Sequence, residues 1–458
     1  MALPAECPNE LRRSGLIEAL DQFMNQATHL KQAALFPDFE EETAERTDTT
    51  STFQDNLSLP IHRWFRFSAG FSAVWVKELI GKEKANGRKR VLDPFVGSGT
   101  VLLEGEQSNL STIGVEAHPF IARVARAKLH WREDPVAFRT FAFSILEDAK
   151  GYHAHPEAYP KLIGKCFPPI VLNRLYSLKR AWLAVADESP LSELAWLTLI
   201  SILRACSPVG TAQWQYVLPN KSKARPLDPY AAFQAKVWEI SNDMAMRQSL
   251  TPGPKAKLYQ EDARTCSSVP EGWAQLVITS PPYANNFDYA DATRLEMTFM
   301  GEIQGWGDLQ NAVRKYLVRS CTQHVAELNG KTFAILDDAN LDPIRKELMP
   351  VCEKLETERE RHGGKKPYHT MIAAYFSDMA RVWKALRRVT AKEALVCFVV
   401  GDSAPYGIYV PVETWVGKLA VAAGFESYYF EKTRDRNVKW RNRKHRVPLH
   451  EGRLWING

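Results

Sequence analysis

The stretch Leu276-Val277-Ile278-Thr279-Ser280-Pro281-Pro282-Tyr283 reads as a buried strand that stops abruptly. Its apolar run is short, β-branched and bounded by turn residues, the signature of a strand in a sheet core. Proline has no N–H to give to a ladder, so the strand must end at Pro281. The double proline also stiffens the backbone and holds the Ser280 and Pro281 carbonyls in fixed directions. Tyr283 then sets a flat ring beside these acceptors. The arrangement suits a planar base with an exocyclic amino group, which donates to the carbonyls while the ring stacks on it.

Upstream, Arg90-Val91-Leu92-Asp93-Pro94-Phe95-Val96-Gly97-Ser98-Gly99-Thr100 reads as strand and glycine loop, with a helix starting at Val101-Leu102-Leu103-Glu104. Gly97 and Gly99 permit torsions and a close backbone approach that a Cβ forbids. The helix N-terminus offers unpaired amides to an anionic group. No lysine follows the glycines, which excludes a phosphate-binding P-loop, and the third glycine of the nicotinamide fingerprint is absent. Ser111-Thr112-Ile113-Gly114-Val115-Glu116 reads as a second strand ending in an acid. It lies about twenty residues past the loop, where dinucleotide-binding folds set a carboxylate on ribose hydroxyls. Lys257-Leu258-Tyr259-Gln260-Glu261-Asp262-Ala263 reads as a third short strand, with Asp262 or Glu261 as its terminal acid.

In this chain order, the segments resemble the S-adenosylmethionine-dependent DNA amino-methyltransferases, which modify N4 of cytosine or N6 of adenine. Thr279-Ser280-Pro281-Pro282-Tyr283 is similar to their catalytic motif, and Asp93 through Thr100 is similar to their cofactor loop. The resemblance implies that Asp93, Pro94, Phe95, Gly97, Ser98, Gly99, Thr100 and Thr279 contact S-adenosyl-L-methionine. It sets Glu116 on the ribose and Asp262 on the adenine amino group. It assigns catalysis to Ser280, Pro281, Pro282 and Tyr283. The aromatic, basic segment Ile61-His62-Arg63-Trp64-Phe65-Arg66-Phe67-Ser68-Ala69-Gly70-Phe71-Ser72 resembles one that lines the cofactor pocket, implying Phe71 and Ser72 as contacts. Packing of that patch onto the core is the alternative. Asp288 and Tyr289 brace the catalytic loop or line the base pocket. Leu395 through Val400, followed by Gly401-Asp402-Ser403, resembles the post-catalytic half.

Serine at the first position of the catalytic motif favours cytosine N4 in this family. Adenine N6 and an RNA substrate are the alternatives. From a different class, the chain would be a non-catalytic nucleic-acid-binding subunit on the same fold. Double-stranded DNA is the implied partner, with a cognate restriction nuclease beside it. Alternating strands and helices with a glycine loop after the first strand predict an α/β, doubly wound, mostly parallel sheet of the Rossmann-like class I methyltransferase type.

The chain has 458 residues and a net charge of +6, a mild excess that permits a nucleic-acid partner without requiring one. Seven scattered cysteines, with no CxxC and no Cys/His cluster, argue against a zinc site and a disulfide framework. The start, Met1-Ala2-Leu3-Pro4-Ala5-Glu6, lacks the basic and apolar regions of a signal peptide. No apolar run approaches membrane-spanning length, so a cytoplasmic location is expected.

Four regions follow: a helix and acidic arm over 1–58, a cofactor-binding half over 59–149, a helical insertion over 150–255 and a catalytic half over 256–458. In the insertion, Leu191 to Ala205 is apolar nearly all round, which predicts a buried helix. The loop Pro219 to Pro226 carries Lys221, Lys223 and Arg225, either solvated or against phosphates. The best DNA-contact run is Lys439, Trp440, Arg441, Arg443, Lys444 and Arg446, with Lys432, Arg434 and Arg436 leading into it.

Overall fold

The computed structural model describes residues 54–458, apart from 68–69, 153–158, 212–216, 223–224, 251–252, 329 and 437–446. The helix and most of the acidic arm expected over 1–58 lie outside the described residues. So do Lys223, Lys439, Trp440, Arg441, Arg443, Lys444 and Arg446. The described residues fall within one compact unit, Asp48–Gly458.

The strands are β1 (Arg90–Asp93), β2 (Ser111–Val115), β3 (Val209–Thr211), β4 (Val217–Ser222), β5 (Lys257–Tyr259), β6 (Ala274–Thr279), β7 (Thr390–Gly401), β8 (Ser427–Arg436) and β9 (Leu449–Asn457). Seven of them form one sheet in the order β5-β2-β1-β6-β7-β9-β8, and β3 and β4 form a separate pair. Strands β5, β2, β1, β6 and β7 pair in parallel, while β9 runs antiparallel to both its neighbours. The chain winds outward from β1 through β2 to β5, then crosses back to β6 and winds the other way. Strand order therefore reverses between β1 and β6. In open α/β sheets the crevice at the carboxyl ends of such a pair is the ligand site.

The longer helices are α1 (Ala73–Ala85), α2 (Thr100–Gln107), α3 (Pro119–Leu129), α4 (Pro135–Gly151), α5 (Pro169–Val185), α6 (Pro190–Cys206), α7 (Pro229–Gln248), α8 (Asp342–Arg361), α9 (Tyr368–Val389) and α10 (Val412–Ala422). Leu276 and Ile278 face α1, where Trp75, Val76 and Ile80 cover them. Val277 faces the other way, into the cluster built by α8, α9 and α10. A strand covered on both sides buries every residue, which is why Leu276 to Ile278 is unbroken in apolar character rather than alternating. Among the described residues, no helix is long and apolar enough to cross a membrane.

Three of the helices packed in and beside the insertion start on one local device. Asp134, Ser189 and Asp228 each cap a helix whose next residue is proline, and each side chain accepts from a backbone N–H of the first turn. Proline there loses no needed donor and is preset for helical φ. Helix α6 is buried on most of its surface and packs with α3, α4, α5 and α7 in one apolar cluster. A single buried carboxylate ties this cluster to the segment before α1. Asp243 of α7 accepts from Ile61 N at 3.1 Å, Arg63 Nε at 3.0 Å and Trp64 Nε1 at 2.9 Å.

Two segments differ from the expectation. Strand β5 ends at Tyr259, and Asp262 sits in the turn beyond it, where its carbonyl accepts from Thr265 N and Cys266 N. The acid is thus carried on a turn rather than a strand end, because turn hydrogen bonds replace the ladder there. Pro219 to Ser222, read as loop, belongs to β4. Within β4, Val217, Leu218 and Ser222 pair with β3, while Pro219 to Lys221 fall in the irregularity between them, where the turn-rich composition shows.

Candidate active site

A cleft of about 620 Å³, part of it open to solvent, lies at the carboxyl ends of β1, β2 and β6 and the turn after β5. The glycine loop contributes Pro94, Phe95 and Gly97, and the residue that follows β2 is Glu116. Asp262 and Ala263 come from the turn, and Ser280 and Pro282 from the end of β6. Four segments separated by long stretches of chain therefore meet at the switch point of the sheet.

The glycine loop is held from below. Asp93 is buried and accepts from Phe95 N at 3.0 Å and from Thr279 Oγ1 at 2.6 Å. This ties the end of β1 to the end of β6. Burial pushes the Asp93 carboxyl up to about 7, against the pull of those two donors. Asp93 and Thr279 are thus supports under the cleft and not part of its lining. Gly97 has φ +53°, and a Cβ there would stand 3.1 Å from Cε1 of Phe67, a lining residue. Gly99, at φ +95°, starts α2, and Ser98 and Thr100 flank it outside the lining.

Glu116 faces the cleft with both oxygens engaged. Oε2 accepts from Gly97 N at 2.7 Å and Oε1 from His118 N at 2.8 Å. Each carboxylate oxygen keeps a second lone pair, so the group can still accept from a ligand. Enclosure raises its carboxyl to about 7, while the backbone donors hold it back from rising further. His118 lines the wall and bonds Thr293 Oγ1 at 3.1 Å. Burial lowers this imidazole to about 3, so it is neutral at physiological pH. Between the two acids after β5, only Asp262 reaches the cleft, for Glu261 is occupied by Ser267 and Ser268.

At the end of β6, Ser280 Oγ donates to Val399 O at 3.1 Å, which locks the loop to β7. Among the described residues, no hydrogen bond reaches the Ser280 or Pro281 carbonyl. Pro281 is buried. Tyr283 lies beside the cleft, and the Arg436 guanidinium stands 5.3 Å from its ring centroid. A Cβ at Gly401 would approach Arg436 Nη1 to 2.6 Å and Tyr283 Cε2 to 3.3 Å, so glycine is what lets these side chains meet. Ser403 Oγ donates to Ala284 O at 2.5 Å, pinning the chain after Tyr283.

Tyr289 lines the cleft, whereas Asp288 is a brace. It caps the next helical turn through Ala290 N and pairs with Arg314 at 2.7 Å. Asp288, Cys321 and His324 bring metal-type ligand atoms within 4.8 Å of one another. Arg314 already neutralises that carboxylate, so the group reads as an ion pair. Burial would raise the Asp288 carboxyl, but His324 and Arg314 together hold it at about 2.

Phe71 and Ser72 do not join the cleft. Phe71 packs edge-on against Trp75 at 5.7 Å, and Ser72 caps α1. The nearby lining residue is Phe67. His62 and Trp64 are likewise structural, bonding Glu104 at 2.9 Å and Asp243 at 2.9 Å. Arg225 is exposed and apart from the lining. Sequence reasoning missed Ile121, Tyr316, Leu317 and Val318, which complete the walls. The last three lie in a stretch without motif, and only long-range folding brings them in.

No family model matches the chain. It is 26% identical to Type II methyltransferase M.AvaI of Nostoc sp. over 406 residues, 82% of this chain and 81% of that protein. The same values hold for M.AvaI of Anabaena variabilis. It is 23% identical to Type II methyltransferase M.BsoBI of Geobacillus stearothermophilus over 455 residues, 89% of this chain and 86% of that protein. The mixed seven-stranded sheet is the Rossmann-like α/β fold expected of a methyltransferase, and the chain is similar to Type II methyltransferases over most of its length.

Proposed function

We propose that this protein is a site-specific DNA methyltransferase that transfers a methyl group from S-adenosyl-L-methionine to the exocyclic amino group of a flipped base, N4 of cytosine. The observation that carries the reading is the meeting of Gly97, Glu116, Asp262 and Ser280 in one cleft at the switch point. The similarity to Type II methyltransferases supports DNA as the substrate, and a restriction nuclease of the same specificity is the partner such an enzyme implies.

The donor set fits the cofactor. Glu116 has lone pairs for two ribose hydroxyls, and Asp262 offers an acceptor to the adenine amino group. Phe95, Ile121, Leu317 and Val318 give the lining the apolar surface that a flat ring needs. When bound, the cofactor supplies a methyl group already activated on a sulfonium. The chain's own residues then have to bind, orient and stabilise.

An aromatic amine is a weak nucleophile because its lone pair is delocalised into the ring. The Ser280 and Pro281 carbonyls draw the amino group toward sp3 geometry and take up the positive charge that develops on nitrogen. The Ser280 to Val399 hydrogen bond keeps these acceptors fixed, so little reorganisation is needed during transfer. Tyr283 stacks on the extruded base and offsets the stacking lost in the duplex.

Nucleoside mass spectrometry of plasmid DNA from cells expressing the chain, beside a Tyr283→Ala control, tests the proposal. N4-methylcytosine that is lost in the control is expected. N6-methyladenine would overturn the base assignment, and no modified base in DNA would overturn the DNA reading.

A further inference from the structure

The wall that carries Asp262 is held by an ion-pair chain. Arg264 folds back on Asp262, with its backbone N 2.8 Å from Oδ1, Nε 2.8 Å from Oδ2 and Nη2 2.6 Å from Oδ2. Asp262 nevertheless keeps 30% of its side-chain surface open and lines the cleft. The remaining arm of the fork turns away, and Arg264 Nη1 meets Oδ1 of Asp378 at 3.0 Å.

Asp378 is fully buried on α9 and receives a second arginine. Arg319 gives it a backbone N–H at 3.0 Å, Nε at 2.8 Å and Nη2 at 2.5 Å. Arg319 directly follows Leu317 and Val318, which line the cleft. One buried carboxylate therefore anchors two segments of the wall, the Asp262 turn and the Tyr316 to Val318 segment.

We propose that Arg264 and Asp378 are positioning residues that make this cleft selective for an adenine ring over a ring carrying a carbonyl at the same place. The inference rests on the cofactor reading above and assigns the source of its base selectivity. An ionised carboxylate only accepts hydrogen bonds. An adenine amino group donates to it, whereas a carbonyl there sets lone pair against lone pair. That contrast holds only while Asp262 cannot rotate, and the guanidinium fork enforces that orientation. Sharing the fork with Asp378 matters as well. Two carboxylates and two guanidiniums balance, so Asp262 is held without a net positive charge behind it. Burial alone would raise the Asp378 carboxyl, but Arg319 and Arg264 bring it below the ordinary range.

The test is calorimetric titration with S-adenosyl-L-homocysteine and with S-inosyl-L-homocysteine, in which a carbonyl replaces the amino group and the neighbouring ring nitrogen turns from acceptor to N–H donor. The wild-type protein is expected to favour the adenosyl ligand by about tenfold or more, the worth of a hydrogen bond to a charged group. In Arg264→Gln the preference falls to within about threefold, mainly through weaker adenosyl binding. Arg264→Lys, which keeps the charge but not the fork, falls between them and serves as the readout if the glutamine variant does not fold. Variants that weaken both ligands in equal proportion would overturn the inference, because a merely structural role predicts that result. No heat from either ligand with the wild-type protein would overturn the cofactor reading and this inference together.

Discussion

Replacing Asp243 by alanine probes how the insertion supports the cleft without touching it. The carboxylate is 1% exposed and serves three groups, Ile61 N, Trp64 Nε1 and the Arg63 side chain. Ile61 and Trp64 are both fully buried, so Asp243→Ala strands two donors where solvent does not reach. Each costs about 1–3 kcal/mol when left unpaired. The Arg63 side chain is 25% exposed and can turn to water, so its share is small. The expected loss is about 4 kcal/mol, a large fraction of a typical folding free energy. At a urea slope of about 3 kcal/mol per M, the unfolding midpoint falls by about 1.3 M. Asp243→Asn can keep the one oxygen that both Ile61 N and Trp64 Nε1 bond, and is expected to lose less than half as much. Affinity for S-adenosyl-L-homocysteine should also fall in Asp243→Ala, because Phe67 of the lining lies three residues beyond Trp64. A midpoint shift below about 0.3 M, or equal losses in the two variants, would refute the reasoning.

In Tyr283→Ala, turnover is expected to fall about 10- to 100-fold from lost base stacking, with cofactor affinity within about twofold of wild type. Stopped-flow transfer rates and calorimetry separate the two, and equal losses would mean that the ring serves the cofactor instead. The pH dependence follows from Asp93 and Glu116, both raised to about 7 by burial. Between about pH 4 and 7 these two groups hold protons in the folded state that the unfolded chain has released, so their joint contribution to stability falls as pH rises and outweighs the opposite contribution of the single His118. Thermal midpoints at pH 5.5 and 7.5 check this, and a higher midpoint at pH 7.5 would contradict it. Hydroxyls bonding Glu116 favour its ionised form, so cofactor binding near pH 7 is expected to release protons and to tighten as pH rises. Titrations in buffers of different ionisation enthalpy measure that release, and proton uptake would contradict the role given to Glu116.

The switch-point sheet was legible because its signals are local. Leu276 to Tyr283 announces a strand stopped by proline, and Asp93 to Thr100 announces a loop that only glycine can turn. Glu116 follows at a distance set by one helix. Where the expectation departed from the structure, a longer-range partner decided. Pro219 to Ser222 reads as a loop, yet it bridges Leu218 and Ser222, which both pair with β3. Phe71 and Ser72 sit in a segment whose motif resembles a cofactor wall, yet Phe71 packs against Trp75 of α1 and Phe67 is the residue at the cleft. Glu261 and Asp262 are adjacent acids that sequence cannot rank, and the turn separates them by sending one to Ser267 and Ser268.

By itself, the sequence determined the strand-loop-helix frame, the order of the acids along it, and the chemistry that a Ser-Pro-Pro-Tyr terminus can offer. These depend on backbone torsion, hydrogen-bonding capacity and apolar periodicity, which act between near neighbours. Only the tertiary structure decided that Leu317 and Val318 complete the cleft. It likewise brought Arg264 and Arg319 to one carboxylate at Asp378, Arg436 to the Tyr283 ring, and Asp243 to Ile61 and Trp64. These contacts join residues far apart in the chain, and burial decides them: a charge or a donor shut away from water must find its partner wherever the fold brings one.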